Sequence, residues 1–273
     1  MVREPAVQGI FYPATSPEII EFIQHEYLTT DIKLKNPTGA IVPHAGWMYS
    51  GKLANTIFKL LAGFNYDLFV FIGPKHTYFG YGGLSSEDWK TPLGEVITDK
   101  SSLNMLRGLG LPVDDDSHQA EHSIEVLLPF FRYYFKGIPM LAITVPDQNI
   151  MATAVRAINE LKKHKKICVI ASSDFTHYGP KFGYQPFTSN IKENLYKLDK
   201  EAINLILKKD PASFAGFIEE TGATICGFLP ILALLQTAEG RGRLVSYYTS
   251  GDITGDYTDV VGYAGIIFDT RDS

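Results

Sequence analysis

The chain has 273 residues, 45% hydrophobic and 20% charged, with a formal net charge of −5 and two cysteines. That is an ordinary globular composition with enough apolar residues for a large core, and its acidic balance argues against a general binder of nucleic acid or anionic membrane. Two cysteines make no disulfide framework, no stretch approaches the roughly 18–20 apolar residues of a membrane span, and Met1-Val2-Arg3-Glu4-Pro5 carries no apolar leader, so the expected setting is the cytoplasm. No repeat, low-complexity tract or long linker interrupts the sequence, and one domain over 1–273 is expected.

Ser16-Pro17-Glu18 reads as a helix start, with the serine as N-cap, proline at the first helical position, and Ile20, Ile23 and Tyr27 on one stripe. An apolar strand over 38–43 ends at His44-Ala45-Gly46. Ser50-Gly51 then opens a helix with Leu53, Ile57, Leu60 and Leu61 inward. A second apolar run over 67–72 stops at Gly73-Pro74-Lys75-His76, and the glycine and aromatic loop 77–83 follows, able to move and to offer flat apolar surface to a ligand. A short strand is expected over 93–98 and a short helix over 100–109. Asp114-Asp115-Asp116-Ser117 supplies capping residues ahead of a helix over 121–135, bent at Pro129. A strand over 138–145 and a helix over 151–161 lead to the basic run Lys162-Lys163-His164-Lys165-Lys166, read as a solvated connection.

The strand over 167–171 ends in Ser172-Ser173-Asp174-Phe175-Thr176-His177-Tyr178-Gly179. Beyond it, an amphipathic helix over 189–208 buries Ile191, Leu195, Leu198, Ala202, Leu205 and Ile206. Asp210-Pro211 caps a helix ending near Gly222, Thr224-Ile225-Cys226-Gly227 opens a last one to about Ala238, and β-rich runs over 243–249 and 262–268 close the chain. Alternating strands and helices predict a layered α/β fold, and uninterrupted apolar strands predict a sheet covered on both faces.

Three of those strands end at chemical residues: His44, His76, and the Asp174 and His177 pair. If the strands are parallel neighbours, these groups meet in the crevice at their carboxyl ends; a surface turn holding a self-satisfied Asp–His pair is the plainer reading of the last. His122 is either a helix-start hydrogen bonder or a site residue. His118-Gln-Ala-Glu-His122 places two histidines four apart but lacks the zinc-helix arrangement of the glutamate, and His118 reads as a helix-start residue. Cys226, at a helix start where a thiolate is favoured, suits a metal ligand, a nucleophile or a small buried residue. Cys168 reads as core, and His25 and His164 as surface. Two histidines with a cysteine or carboxylate suit iron, copper or zinc. Gly251-Asp252-Ile253-Thr254-Gly255-Asp256-Tyr257 lacks the calcium-loop spacing and reads as turn residues.

Taken together, Arg3-Glu4-Pro5-Ala6-Val7, Phe11-Tyr12-Pro13, Pro43-His44-Ala45-Gly46, Gly73-Pro74-Lys75-His76, Glu121-His122-Ser123-Ile124-Glu125, the segment 172–179 and Thr224-Ile225-Cys226-Gly227 resemble the Memo family, protein B of the microbial AmmeMemoRadiSam group, over nearly the whole chain. The resemblance implies a three-layer sandwich like that of class III extradiol dioxygenases, with a central, largely parallel or mixed sheet between helices. It implies metal ligation by His44, His76 and Cys226, with Asp174 and His177 lining the same pocket. The cysteine stands where those dioxygenases use a glutamate, which changes the metal preference and redox behaviour, so the resemblance does not by itself imply ring cleavage. His76-Thr77 also replaces the adjacent histidines of animal members, which are linked to phosphotyrosine peptides. Three functional readings follow. One is metal-dependent redox chemistry on iron or copper, with His122 or His177 moving a proton and Asp174 orienting an imidazole. Another is a binding protein for a peptide or small anion in the cleft and the 78–81 loop. The third is a thiol hydrolase using Cys226.

Overall fold

The computed structural model describes residues 1–270. Its centre is an eight-stranded sheet of β1 (Pro37–Val42), β2 (Leu68–Gly73), β3 (Gly83–Leu84), β4 (Met140–Thr144), β5 (Ile167–Ser172), β6 (His177–Tyr178), β7 (Arg241–Thr249) and β8 (Val260–Asp269). The order is β7-β8-β1-β5-β2-β4-β3, with β6 pairing onto the start of β8. The strands β1, β5, β2 and β4 run parallel, while β8, β7 and β3 add antiparallel edges, so the sheet is mixed.

The parallel strands are buried along their whole length except at Thr38, because alternate side chains serve different layers. Ile167, Val169 and Ala171 of β5 join the helices Gln148–Leu161, Ile191–Lys208, Pro211–Thr221 and Phe228–Thr237. Cys168 and Ile170 point the other way, toward Ser16–His25, Lys52–Leu61 and Leu128–Tyr134. Helices, sheet and helices therefore make the three-layer α/β sandwich expected. A small sheet of Val2–Arg3, Asp88–Thr91 and Gly94–Val96 closes one side. Among the described residues, no helix is long and apolar enough to cross a membrane.

Several local expectations change. Thr15, not Ser16, caps the first helix, with its amide and hydroxyl both donating to Glu18. Ile19 and Ile23 face the core there, whereas Tyr27 is exposed beneath the Lys59 ammonium. Pro129 begins the helix Leu128–Tyr134 rather than bending a longer one, since an early position needs no donor. Asp114 and Asp115 do not cap that helix: their carboxylates accept from the backbones of Tyr81, Gly82 and Ser86 and pin the 77–86 segment. Asp199, in a stripe read as apolar, is fully buried; burial pushes its acid up to about 6, against hydroxyl donors from Thr176 and Tyr247.

His118, read as a helix-start residue, lies in the four-residue helix Asp116–Gln119 and is buried. It is 1% exposed, its Nε2 donates to the Gly83 carbonyl at 3.0 Å, and its ring meets Trp89 edge-on. Burial pulls its pKa down to about 4 from 6.5, so the unfolded chain takes up a proton there before the folded one. Its stabilising contribution is intact above 6.5 and is lost as the pH falls toward 4. Chemical denaturation of wild type and His118→Gln at pH 7.5 and pH 5 should show wild type losing about 2 kcal/mol more than the variant on acidification. Equal losses would place the titration elsewhere.

Candidate metal centre

Parallel order brings the carboxyl ends of β1, β5 and β2 side by side. His44 leaves β1, Asp174 and His177 follow β5, and His76 follows β2. His122 arrives from the turn before the 3₁₀ segment Glu125–Leu127. Two glycines permit that convergence. A β-carbon on Gly73, the last residue of β2, would stand 2.6 Å from Ser123 Oγ, and one on Gly227 would stand 2.3 Å from Ser173 Cβ. Only glycine lets the His122 and Cys226 segments lie so close to the strand ends.

Ring nitrogens of His44, His76 and His122 all lie within 4.8 Å of one another. His122 stacks on His76 with ring centroids 4.8 Å apart and meets His44 edge-on. The tautomers follow from the hydrogen bonds. Ser172 Oγ gives its one proton to the Ser123 carbonyl at 2.6 Å, so it must accept from His44 Nδ1 at 2.7 Å. His76 Nδ1 donates to Glu121 Oε1 at 2.9 Å, and the His76 amide donates to Oε2 of the same carboxylate. Both rings thus keep Nε2 as a bare lone pair, the form a metal takes, with an outer-shell partner holding each ring in place.

Glu121 is fully buried. Burial would raise its pKa, but hydrogen bonds from His76 and the Ser123 amide outweigh it and draw it down to about 2. It is therefore a fixed carboxylate behind the imidazole. Burial, with neighbouring imidazole charge, lowers the pKa of His44, and burial does the same at His122, so both are poised as neutral donors. Glu121→Gln should weaken metal affinity by about 10- to 100-fold with the fold retained, read by chelator competition. An unchanged affinity would leave Glu121 with no part in orienting His76.

Cys226 and Asp174 both lie against His44, Cys226 outside the three-histidine group. The Cys226 Sγ lies 3.3 Å from His44 Nε2 and receives the Asp174 amide at the same distance. It precedes the N-cap Gly227, and burial beside the Asp174 carboxylate pushes its thiol pKa well up, so the expected helix-start thiolate does not form by itself. Asp174 and His177 do not pair as a helical turn would make them. The Asp174 carboxylate instead accepts the His44 amide at 2.9 Å, holding the strand end rather than an imidazole. His177 sits in β6, its Nδ1 donating to the Thr224 carbonyl at 3.0 Å, which leaves Nε2 without a proton.

A cavity of about 760 Å³ opens over these groups, lined by His44, His76, His122, Asp174 and His177 and walled by aromatic side chains including Phe11 and Tyr263. Tyr78, Phe79 and Tyr81 are exposed and do not line it. Lys181 lines it as the one cation.

The N-terminal strap that carries Phe11 is anchored by a buried ion pair, Arg3 to Glu125 at 2.8 Å. Arg3 also donates to the carbonyls of His118 and Glu121, and lies over the Trp89 ring. Glu125 accepts from the amides of Ala6 and Val7 and from the Tyr12 hydroxyl. Phe11 packs on His122 as a result, with centroids 4.8 Å apart. Sequence reasoning gave no site role to Glu121, Ser172 or this strap, although each lies in a segment that carries the family resemblance.

Residues 3–267 match a family model described as "Memo-like protein". Curated relatives include a MEMO1 family protein of Methanosarcina barkeri, 35% identical over 97% of this chain and 99% of its own. Another, from Archaeoglobus fulgidus, is 35% identical over 98% and 99%, and one from Methanopyrus kandleri is 34% identical over 98% and 99%.

Proposed function

The chain belongs to the Memo family, and from that premise we propose that it is a metal-dependent redox protein with a dioxygenase-like cleft, holding iron or copper through His44 and His76 with His122 and Cys226 as the flanking donors. The observation that carries this reading is the cluster of three imidazoles within 4.8 Å, two of them turned inward by hydrogen bonds at Nδ1. Imidazole with a nearby thiol suits iron, copper and also zinc over magnesium or calcium. When bound, an iron or copper ion would supply a Lewis-acid and one-electron centre.

The remaining residues act around it. His177 Nε2 takes a proton from a hydroxyl of a small molecule or peptide side chain in the cleft, while Asp174 keeps the His44 backbone in register. Phe11 and Tyr263 cover the ligand's apolar part, and Lys181 at the wall favours an anionic group on it. Element analysis of protein purified without an affinity tag should find near-stoichiometric iron or copper. Protein that takes up neither, or zinc alone, would sink the proposal, since zinc carries no redox chemistry.

The 3.3 Å contact between Cys226 Sγ and His44 Nε2 favours a second reading, a cysteine–histidine nucleophile pair in a hydrolase. Against it, burial raises the thiol and lowers the imidazole, which keeps the pair neutral. Chelated protein treated with iodoacetamide at pH 7 should label Cys226 slowly, at the rate of an ordinary buried thiol. Fast, stoichiometric labelling that disappears in His44→Ala would favour the hydrolase.

A further inference from the structure

The cavity over the histidines has a neighbour. A second cavity of about 420 Å³ adjoins it, bounded by the helix Ser16–His25, the Trp47–Gly51 turn and the helix Ser250–Thr254. Phe22, Trp47, Met48 and Tyr49 line both. Trp47 is buried, its ring stacked 3.9 Å from Phe130 and 4.8 Å from Phe22, so the partition between the cavities is fixed at its base. The part of it that reaches solvent is Met48, 73% exposed. Trp47–Gly51 is also a π-helical turn, three residues after His44, and such turns are found frequently at functional sites.

The second cavity offers apolar surface and no free charge. Leu28, Tyr248 and Ile253 face it, and Ile253 is half-exposed. Its three charged residues are already paired. Glu26 holds Lys52 at 2.6 Å, and Asp252 holds Lys192 at 2.7 Å while accepting the hydroxyls of Tyr196 and Tyr257 at 2.6 Å each. A single exposed apolar side chain needs no explanation. Here, however, the apolar surface continues from a cavity that holds Lys181 and His177. A ligand reaching out of that cavity over Met48 meets carbon on the other side and nothing to satisfy a charge. Methionine, unbranched and adaptable, can lie along such a ligand.

We propose that the two cavities together take one amphiphile, an anion with a linear alkyl chain. Its head lies beside Lys181 in the histidine cavity, and its chain crosses Met48 into the niche of Leu28, Tyr248 and Ile253. This rests on the reading of the histidine cavity as the ligand site and adds the class of ligand. Passage over one side chain suits a chain one methylene wide better than a ring.

The straight-chain alkanoates from butanoate to dodecanoate are the probes, titrated calorimetrically into the full chain below their micelle concentrations. One molecule should bind per chain, with affinity climbing about three- to fourfold for each methylene buried. Ile253→Asn, which adds polarity without charge at a half-exposed position, should weaken dodecanoate by at least about tenfold and leave butanoate unchanged. Ile253→Trp, which fills the niche, should do the same. Lys181→Met should weaken every length by one common factor. Absence of saturable binding, equal affinities along the series, or an Ile253→Asn effect on no length or on all lengths alike would each overturn the assignment. So would several bound molecules per chain, or binding indifferent to Lys181→Met. Equal affinities that still depend on Lys181 would leave the histidine cavity standing as a site for a short ligand. Element analysis that finds no metal would sink the redox reading and leave the chain-length result as it is.

Discussion

His44→Ala and His76→Ala are each expected to lower metal affinity by more than about 100-fold, beyond the loss typical of an outer-shell partner. Each ring points its only lone pair inward, toward the point the three imidazoles share. The flanking donors are separated by comparing His122→Ala with Cys226→Ala. His122 belongs to the cluster spanning 4.8 Å, whereas Cys226 touches His44 alone among the three histidines. A large loss in His122→Ala with a small one in Cys226→Ala identifies a three-imidazole centre; the reverse identifies two imidazoles and a sulfur. Full occupancy in a variant lacking His44, His76, His122 and Cys226 would leave the ion with other ligands altogether. The readout is metal content after dialysis, with circular dichroism confirming that each variant keeps its secondary structure.

Arg3→Met should be the most destabilising single change at the N-terminus, by about 3–5 kcal/mol, because it strands the Glu125 carboxylate in a buried site. Two backbone carbonyls also lose their donor. In a chain of this size that corresponds to a fall in melting temperature of roughly 5–9 °C. Pairing the change with Glu125→Leu should not restore stability, although apolar replacement of a buried ion pair often does. Glu125 is also the acceptor for two amides and the Tyr12 hydroxyl, and leucine would leave all three unsatisfied. Full recovery in the double variant would show that the ion pair alone matters there.

The framework of the fold was legible because its signals are local. Uninterrupted runs such as Leu-Phe-Val-Phe-Ile can only be strands buried on both faces, and Asp210-Pro211 does cap a helix that ends at Gly222. The strand ends could be named from one dimension, since His44, His76, Asp174 and His177 each lie within five residues of the end of an apolar strand. What escaped depends on partners far along the chain. Glu121 looks like any acidic residue until His76, 45 positions away, closes on it. Asp199 sits on the stripe of an amphipathic helix, and only Thr176 and Tyr247 explain its burial. The helix expected over 121–135 is a 3₁₀ turn, Glu125–Leu127, that runs into the shorter α-helix Leu128–Tyr134.

The insertion of β5 between β1 and β2 has a bearing on how the protein matures. Strands that carry His44 and His76 share no edge of their own; they become neighbours of a common strand only after residues 167–172 have been synthesised and threaded between them. A nascent chain halted before that point already contains the three imidazoles yet has nowhere to gather them. An ion held by these imidazoles would thus be captured late, a seal on a finished molecule rather than a seed for its folding.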